Sequence, residues 1–252
     1  MCQFPAGSFS DIGVSMKAED YEAWYQTPRG QWIAQTEYEA IRQHLDRHPG
    51  ETLLDIGCGT GQFTRRFAED NGLVVGLDVN VSWLRFAAEK KARSEIYLGG
   101  DATRLPLADR SVDLSVSIAA LCFVADRRRA IEELLRVTRR RFALGLLNRH
   151  SPLYLAKGVH GGKGAYRGAH WDTADEARRL FDGLPVRNIR LQSVVALAGG
   201  GFCARALEQR LPGRWPWGAF LIISADVHAP DNDRPYLRKK RKQSPGSAPR
   251  DE

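Results

Sequence analysis

From residue 18 to residue 45, apolar and polar positions recur at helical spacing. Tyr21, Trp24 and Tyr25 lie on one side, and Ile33, Tyr38, Ile41 and Leu45 continue the apolar positions. Pro28-Arg29-Gly30 interrupts the stretch, and Pro49-Gly50 ends it. The pattern then changes to short apolar runs alternating with amphipathic segments. Strands are expected over 51–56, 73–77, 95–98, 111–118 and 142–147, and helices over 61–69, 81–91 and 127–139. Strands that are apolar throughout and alternate with helices predict a parallel sheet covered on both faces. Residues 151–171 are rich in Gly, Tyr and His without a period and read as a long loop, which in a domain of this size carries function or moves. A helix over 173–181 follows, with Thr173 and Glu176 at capping-box spacing. Residues 186–196 and 219–227 read as closing strands, and from Ala229 onward core-forming content is absent.

Composition narrows the class. The chain has 252 residues, 43% hydrophobic and 27% charged, which fits one α/β-sized domain with extensions and excludes wholesale disorder. No apolar run approaches the roughly 18 residues of a membrane helix, so no membrane span is expected. Residues 1–10 lack a basic region followed by an apolar stretch, so no secretory signal is expected. Cys2, Cys58, Cys122 and Cys203 are scattered without a CxxC pair, which suggests no disulfide framework and no metal site and fits a cytoplasmic setting. The net charge is +7, of which the run RKKRK at 238–242 contributes +5. Basicity is therefore a property of the tail. The expected organisation is a helical lid segment over 1–50, a ligand-binding domain over 51–228 with an insertion at 148–172, and a basic disordered tail over 229–252.

The chemistry concentrates in LLDIGCGTGQFT, residues 53–64, where a buried strand runs into Gly57, Gly59 and Gly61 and then into a helix. Such a turn lies at the carboxyl edge of an open sheet, where ligands bind. The spacing is GxGxG, without the third glycine of a dinucleotide loop, and Asp55 ends the strand just before it. A carboxylate there repels a pyrophosphate and suits an ammonium group. Asp78 ends the second strand in VVGLDVN, where an acid can accept both hydroxyls of a ribose. Asp101 follows the third strand in GGDATRLPL and can accept from an exocyclic amine. An ammonium, a ribose diol and an aminopurine together describe S-adenosylmethionine. Cys58, inside the loop with no His or second Cys near it, reads as a small buried residue.

Over residues 21–148 the sequence resembles the class I S-adenosylmethionine-dependent methyltransferases, in particular the small-molecule branch called methyltransferase type 11. The resemblance rests on LLDIGCGTGQFT, on VVGLDVN, on GGDATRLPLADRSVDLSVSIAALCFV and on the helix and strand that follow. It implies an α/β, Rossmann-like three-layer sandwich with a seven-stranded, mostly parallel sheet and a terminal antiparallel hairpin. It also implies that Asp55 with Gly57, Gly59 and Gly61 holds the methionyl end, Asp78 with Val79 the ribose, and Asp101 with Ala102 the adenine. Ala119 would line the same pocket. The N-terminal segment would fold over the cofactor, with Tyr25 beside it and Arg29 reaching its methionyl carboxylate.

The expected activity is methyl transfer to a small organic acceptor, a C- or O-methylated ring being one form. Trp24, Asn148, Tyr154 and Trp171 are the candidate acceptor-binding residues. His150 and His170 are the candidate bases, because imidazole titrates near neutral pH. A base is needed only where the acceptor must lose a proton. Other readings stay open. The basic tail would suit an RNA or protein methyltransferase, but nucleic acid is not the expected partner. The body carries only about +2, no RNP-type stacking module is present, and Asn148-Arg149-His150-Ser151 is not an NPPY-like tetrapeptide. A nicotinamide-dependent oxidoreductase is opposed by Asp55, and a non-catalytic binding protein by the intact loop and Asp78. Nothing in the sequence selects an oligomeric state.

Overall fold

The apolar runs become β1 (Leu53–Ile56), β2 (Val74–Asp78), β3 (Glu95–Gly99), β4 (Val112–Ile118) and β5 (Thr138–Leu147), followed by β6 (Val186–Val194) and β7 (Phe220–Val227). They form a seven-stranded sheet in the order β3-β2-β1-β4-β5-β7-β6. The first five are parallel, and β7 runs antiparallel between β5 and β6. The computed structural model describes residues 17–70, 72–199, 201, 208 and 216–228. The basic run at 238–242 and the rest of the expected tail lie outside the described residues, as do residues 1–16, Cys2 and Cys203.

Helices cover both faces: α1 (Ala18–Gln26), α2 (Pro28–Leu45), α3 (Gln62–Ala68), α4 (Val81–Glu89), α5 (Arg127–Val137), α6 (Pro152–Lys157) and α7 (Ala174–Arg179). Side chains alternate between two cores. Ala143, Leu147 and Ile222 point into the one that holds Ile41, Leu45 and Phe67. Phe142, Leu144, Leu146, Leu221 and Ile223 point into the one that holds Ile131, Leu134 and Phe181. Each fully buried Leu, Ile or Phe side chain among them stabilises the fold by roughly 1.5–3 kcal/mol.

The N-terminal helical stretch breaks at Thr27. Its hydroxyl accepts from the Gly30 amide at 3.0 Å, and Pro28 occupies the first helical turn. The start of α2 folds so tightly onto the end of α1 that a Cβ on Gly30 would overlap the Trp24 carbonyl. The segment expected as a lid therefore divides. Helix α2 buries Ile33, Ala34, Ile41 and Leu45 in the same core as Leu53 and Leu114, while α1 lies over the glycine loop.

Two further departures bear on the site. Strand β5 begins directly after α5, so the helix expected over 127–139 is shorter and no loop precedes the strand. The expected loop at 151–171 contains α6, whose amide at Tyr154 donates to the Ser151 hydroxyl at 3.1 Å. Thr173 and Glu176 form the capping box at the start of α7. Among the described residues no helix is long and apolar enough to cross a membrane, and no group of three or more His, Cys, Asp or Glu is placed to hold a metal ion.

Candidate functional site

Strand β1 delivers Asp55 to the carboxyl edge of the sheet, and the loop after it turns on three glycines with φ of 77° at Gly57, 56° at Gly59 and 77° at Gly61. Side chains are strained in that left-handed region, which is the physical reason for the glycine spacing. A Cβ on Gly61 would also meet the Tyr97 hydroxyl at 2.5 Å. The Gly57 and Cys58 amides donate to the Leu77 carbonyl at 2.7 and 3.0 Å. Asp78 is buried and fastens the loop to β2: one oxygen accepts from the Gly59 amide at 2.9 Å and the other from the Asn80 amide at 2.8 Å. Each carboxylate oxygen keeps acceptor capacity beyond these bonds. Val79 is half-buried beside it.

Asp55 is buried as well, and its carboxyl accepts a single bond, from the Thr64 hydroxyl at 2.7 Å. Burial pushes its pKa up to about 6. Asp101 follows β3 on the rim, exposed, and accepts from the amide and hydroxyl of Thr103, both at 2.8 Å; Ala102 behind it is buried. The strands that carry these three acids are neighbours in the sheet, so their carboxyl groups share one edge. Ala119, just past β4, has a φ of 51°. For an alanine that conformation costs about 1–3 kcal/mol. It is held by the bond from its amide to the Gly145 carbonyl at 2.9 Å.

Helix α1 clamps this loop from above. The buried Glu22 carboxylate accepts from the Thr60 hydroxyl at 2.7 Å and pairs with Arg65 of α3. The Tyr21 and Tyr25 hydroxyls are bonded at 2.9 Å. The Tyr21 ring lies against Trp83 of α4 at 4.9 Å, and the Tyr25 ring meets Phe63 of α3 edge-on at 6.2 Å.

Two cavities open beneath α1. The smaller, of about 30 Å³, is lined by Asp55, Gly57, Cys58 and Gln62. The larger, of about 490 Å³, is lined by Trp24, Arg29, Phe123, Lys157, Lys163 and Tyr166 among others. Tyr21, Tyr25, Glu37 and Ala119 line both. Cys58, expected as a small buried residue, is half-buried and forms part of the smaller wall. Arg29 reaches only the larger cavity.

Glu37 is the residue that sequence reasoning missed. It is 6% exposed, and among the described residues no hydrogen bond or ion pair reaches its carboxyl. Burial, opposed by Arg66, pushes its pKa up to about 8. Burial together with the nearby Glu37 raises the Tyr166 hydroxyl to about 12. The signal was present in the sequence: Glu37 lies one helical turn from Ile33 and one from Ile41, on the buried stripe of α2.

The acceptor-side expectations fare differently. Of Trp24, Asn148, Tyr154 and Trp171, only Trp24 lines either of these two cavities. Asn148 is fully buried, and its amide nitrogen donates to the Pro216 and Gly218 carbonyls, both at 2.7 Å. Its oxygen accepts from the His150 amide at 3.0 Å, so the whole group is engaged in joining β5 to the start of β7. Trp171 is buried with its ring 5.4 Å from Tyr154 and 5.5 Å from Tyr166. His150 is exposed. The His170 imidazole lies 3.4 Å from Asp172, which is itself gripped by both terminal guanidinium nitrogens of Arg127. Neither histidine lines either cavity.

Comparison with known proteins agrees with this architecture. A family model described as a methyltransferase domain matches residues 54–142. An uncharacterized protein of Mycobacterium tuberculosis is 30% identical over 229 residues, covering 86% of this chain and 75% of that protein. The malonyl-acyl-carrier protein O-methyltransferase of Serratia marcescens is 34% identical over 143 residues, covering 57% of this chain and 52% of that enzyme. The chain spans about half the length of the malonyl-acyl-carrier protein O-methyltransferases that it matches. Among solved structures, an S-adenosylmethionine-dependent methyltransferase of Thermotoga maritima, described as a possible histamine N-methyltransferase, superposes with a TM-score of 0.66 at 22% identity. The superposition covers 82% of this chain and 94% of that one, and the likeness is one of fold.

Proposed function

The chain belongs to the methyltransferase type 11 family, and from that premise we propose that it transfers a methyl group from S-adenosylmethionine to a small organic acceptor seated in the larger cavity. The observation that carries this reading is the common wall: Tyr21, Tyr25, Glu37 and Ala119 separate the loop-side cavity from the larger one. A donor held at the glycine loop and a guest in the larger space would meet across that wall.

The residues present fit the cofactor. Asp55 is a buried carboxyl with one hydroxyl partner, and an ammonium group beside it would supply the missing donors. The left-handed glycines leave backbone where side chains would crowd a ligand. Asp78 would take the ribose, and Asp101 with Ala102 the adenine end. When bound, S-adenosylmethionine supplies an electrophilic methyl group on a sulfonium. The protein's own contribution is to position and to exclude water: α1, tied down through Glu22, Tyr21 and Tyr25, closes the space above the loop. A cavity of about 490 Å³ has the size of a small-molecule site, which supports a small acceptor over a nucleic acid or protein.

Calorimetry on the full chain tests this reading. S-adenosylmethionine and S-adenosylhomocysteine are expected to bind and NAD is not. Preference for NAD would move the chain to oxidoreductase chemistry, and binding of none of the three would leave a non-catalytic fold.

A further inference from the structure

Seven acids are buried in the described residues: Glu22, Glu37, Asp55, Asp78, Glu95, Glu133 and Asp172. Five of them accept at least two hydrogen bonds from the protein itself. Glu22 takes Thr60 and Arg65, and Asp78 takes the Gly59 and Asn80 amides. Glu95 takes the Ala92 and Arg93 amides, Glu133 takes Leu105 and Arg136, and Asp172 takes Arg127 twice. From the described residues Asp55 accepts one bond and Glu37 none. A buried carboxyl without donors is costly, and the two under-satisfied acids are the two that line the cavities beneath α1. Asp55 belongs to the loop side. Glu37 stands on the common wall and faces the larger cavity, whose lining includes the rings of Trp24, Tyr25, Phe123 and Tyr166.

A donor-poor carboxyl beside aromatic rings matches one guest chemistry, a nitrogen that brings N–H donors and positive charge. We propose that the larger cavity takes an amine, an aliphatic or aryl-alkyl one, with its nitrogen hydrogen-bonded to the Glu37 carboxylate. This rests on the methyltransferase reading above and names the acceptor class for it. The amine arrives as an ammonium, and Glu37, protonated in the free chain below about pH 8, gives its proton to solvent as the ion pair forms. One N–H bond breaks, an oxygen of Glu37 gains the proton, and the nitrogen keeps the electron pair, which leaves it nucleophilic. Burial has already raised the affinity of Glu37 for a proton. The groups that face it are Tyr21 and Tyr25 from α1, Arg66 from α3, and Tyr166 from the segment after α6. The cations of the larger cavity, Arg29, Lys157 and Lys163, are exposed, so water screens them from the guest.

The test titrates the full chain, saturated with S-adenosylhomocysteine, with phenethylamine, phenethyl alcohol and hydrocinnamate, followed by calorimetry and tryptophan fluorescence. The amine is expected to bind about tenfold or more tighter than the alcohol or the carboxylate. Glu37→Gln is expected to abolish that preference while leaving S-adenosylhomocysteine and phenethyl alcohol affinity unchanged. The wild-type order of affinities stands as a test without any variant. Equal binding of the three compounds, preference for hydrocinnamate, or an amine affinity indifferent to Glu37→Gln would overturn the proposal. Loss of S-adenosylhomocysteine binding in the variant would overturn it too, by moving Glu37 to the cofactor. Failure of the wild-type chain to bind S-adenosylhomocysteine would instead sink the methyltransferase reading, and the amine with it.

Discussion

Replacing Glu37 by Gln is expected to flatten the fall in stability that the free chain shows as pH rises through neutrality. The carboxyl is 6% exposed, and burial raises its pKa from 4.5 to about 8. Between those values the folded chain holds a proton that the unfolded chain has released, so stability declines with rising pH. The contribution is fully present below about 4.5 and is lost as pH passes about 8. At about 1.4 kcal/mol per pH unit, the whole window corresponds to roughly 3–5 kcal/mol. Asp55 acts with the same sign, but over the lower window from 3.8 to about 6. His44, pushed below 6.5 by burial, acts with the opposite sign and is untouched by the substitution. The hydroxyls of Tyr21, Tyr25 and Tyr166 are all raised and stay protonated throughout. The upper part of the window, from about pH 6 to about pH 8, therefore reports Glu37. Urea unfolding at steps across that range gives the comparison: the wild-type midpoint should drop, and the variant should hold nearly level. Parallel losses in the two proteins would refute the argument, because they would mean that Glu37 is already ionised in the folded chain.

Asp78→Ala removes the acceptor of the Gly59 and Asn80 amides along with the proposed ribose ligand. It should weaken S-adenosylmethionine binding by about 1–3 kcal/mol in calorimetry; an unchanged affinity would contradict the ribose role. Asn148→Ala strips partners from the Pro216 and Gly218 carbonyls and the His150 amide. It should cost about 2–4 kcal/mol in denaturant unfolding and leave cofactor affinity intact; a loss of affinity without a loss of stability would restore the residue to the binding site.

The contrast between Asp78 and Asn148 shows where the sequence was legible. Both were placed at the carboxyl end of a strand by the same pattern, and both are there. For Asp78 the neighbouring glycine motif already says what lies beside it. For Asn148 the partners are carbonyls of residues 216 and 218, some seventy positions away, and no local pattern announces them. The start of β5 is a similar case. Arg139 was expected to end the helix and Arg140-Arg141 to lead into the strand, but the structure puts all three in the strand, where Arg140 pairs with Glu51 at 2.6 Å and Arg141 with Asp226 at 2.7 Å. Long-range ion pairs, rather than local propensity, fix that boundary.

The acceptor side separates residue type from residue position. His150 and His170 were selected for what an imidazole can do, and the fold leaves both outside the cavities because Arg127, Asp172 and Asn148 bind the two ends of the insertion into the scaffold. Glu37 drew no attention as a type, since a glutamate on a helix is usually a solvated one. Its position was nonetheless readable, since it sits at helical spacing between Ile33 and Ile41, with Ala34 and Ala40 completing the buried stripe. A charge on the core-facing side of an amphipathic helix contradicts the pattern that folds the helix, and such a contradiction holds only where something outside the helix answers it. Among the described residues Arg66 is the one cation that lowers the Glu37 pKa, and burial outweighs it. What the protein leaves unanswered on that stripe is the feature by which its guest can be sought.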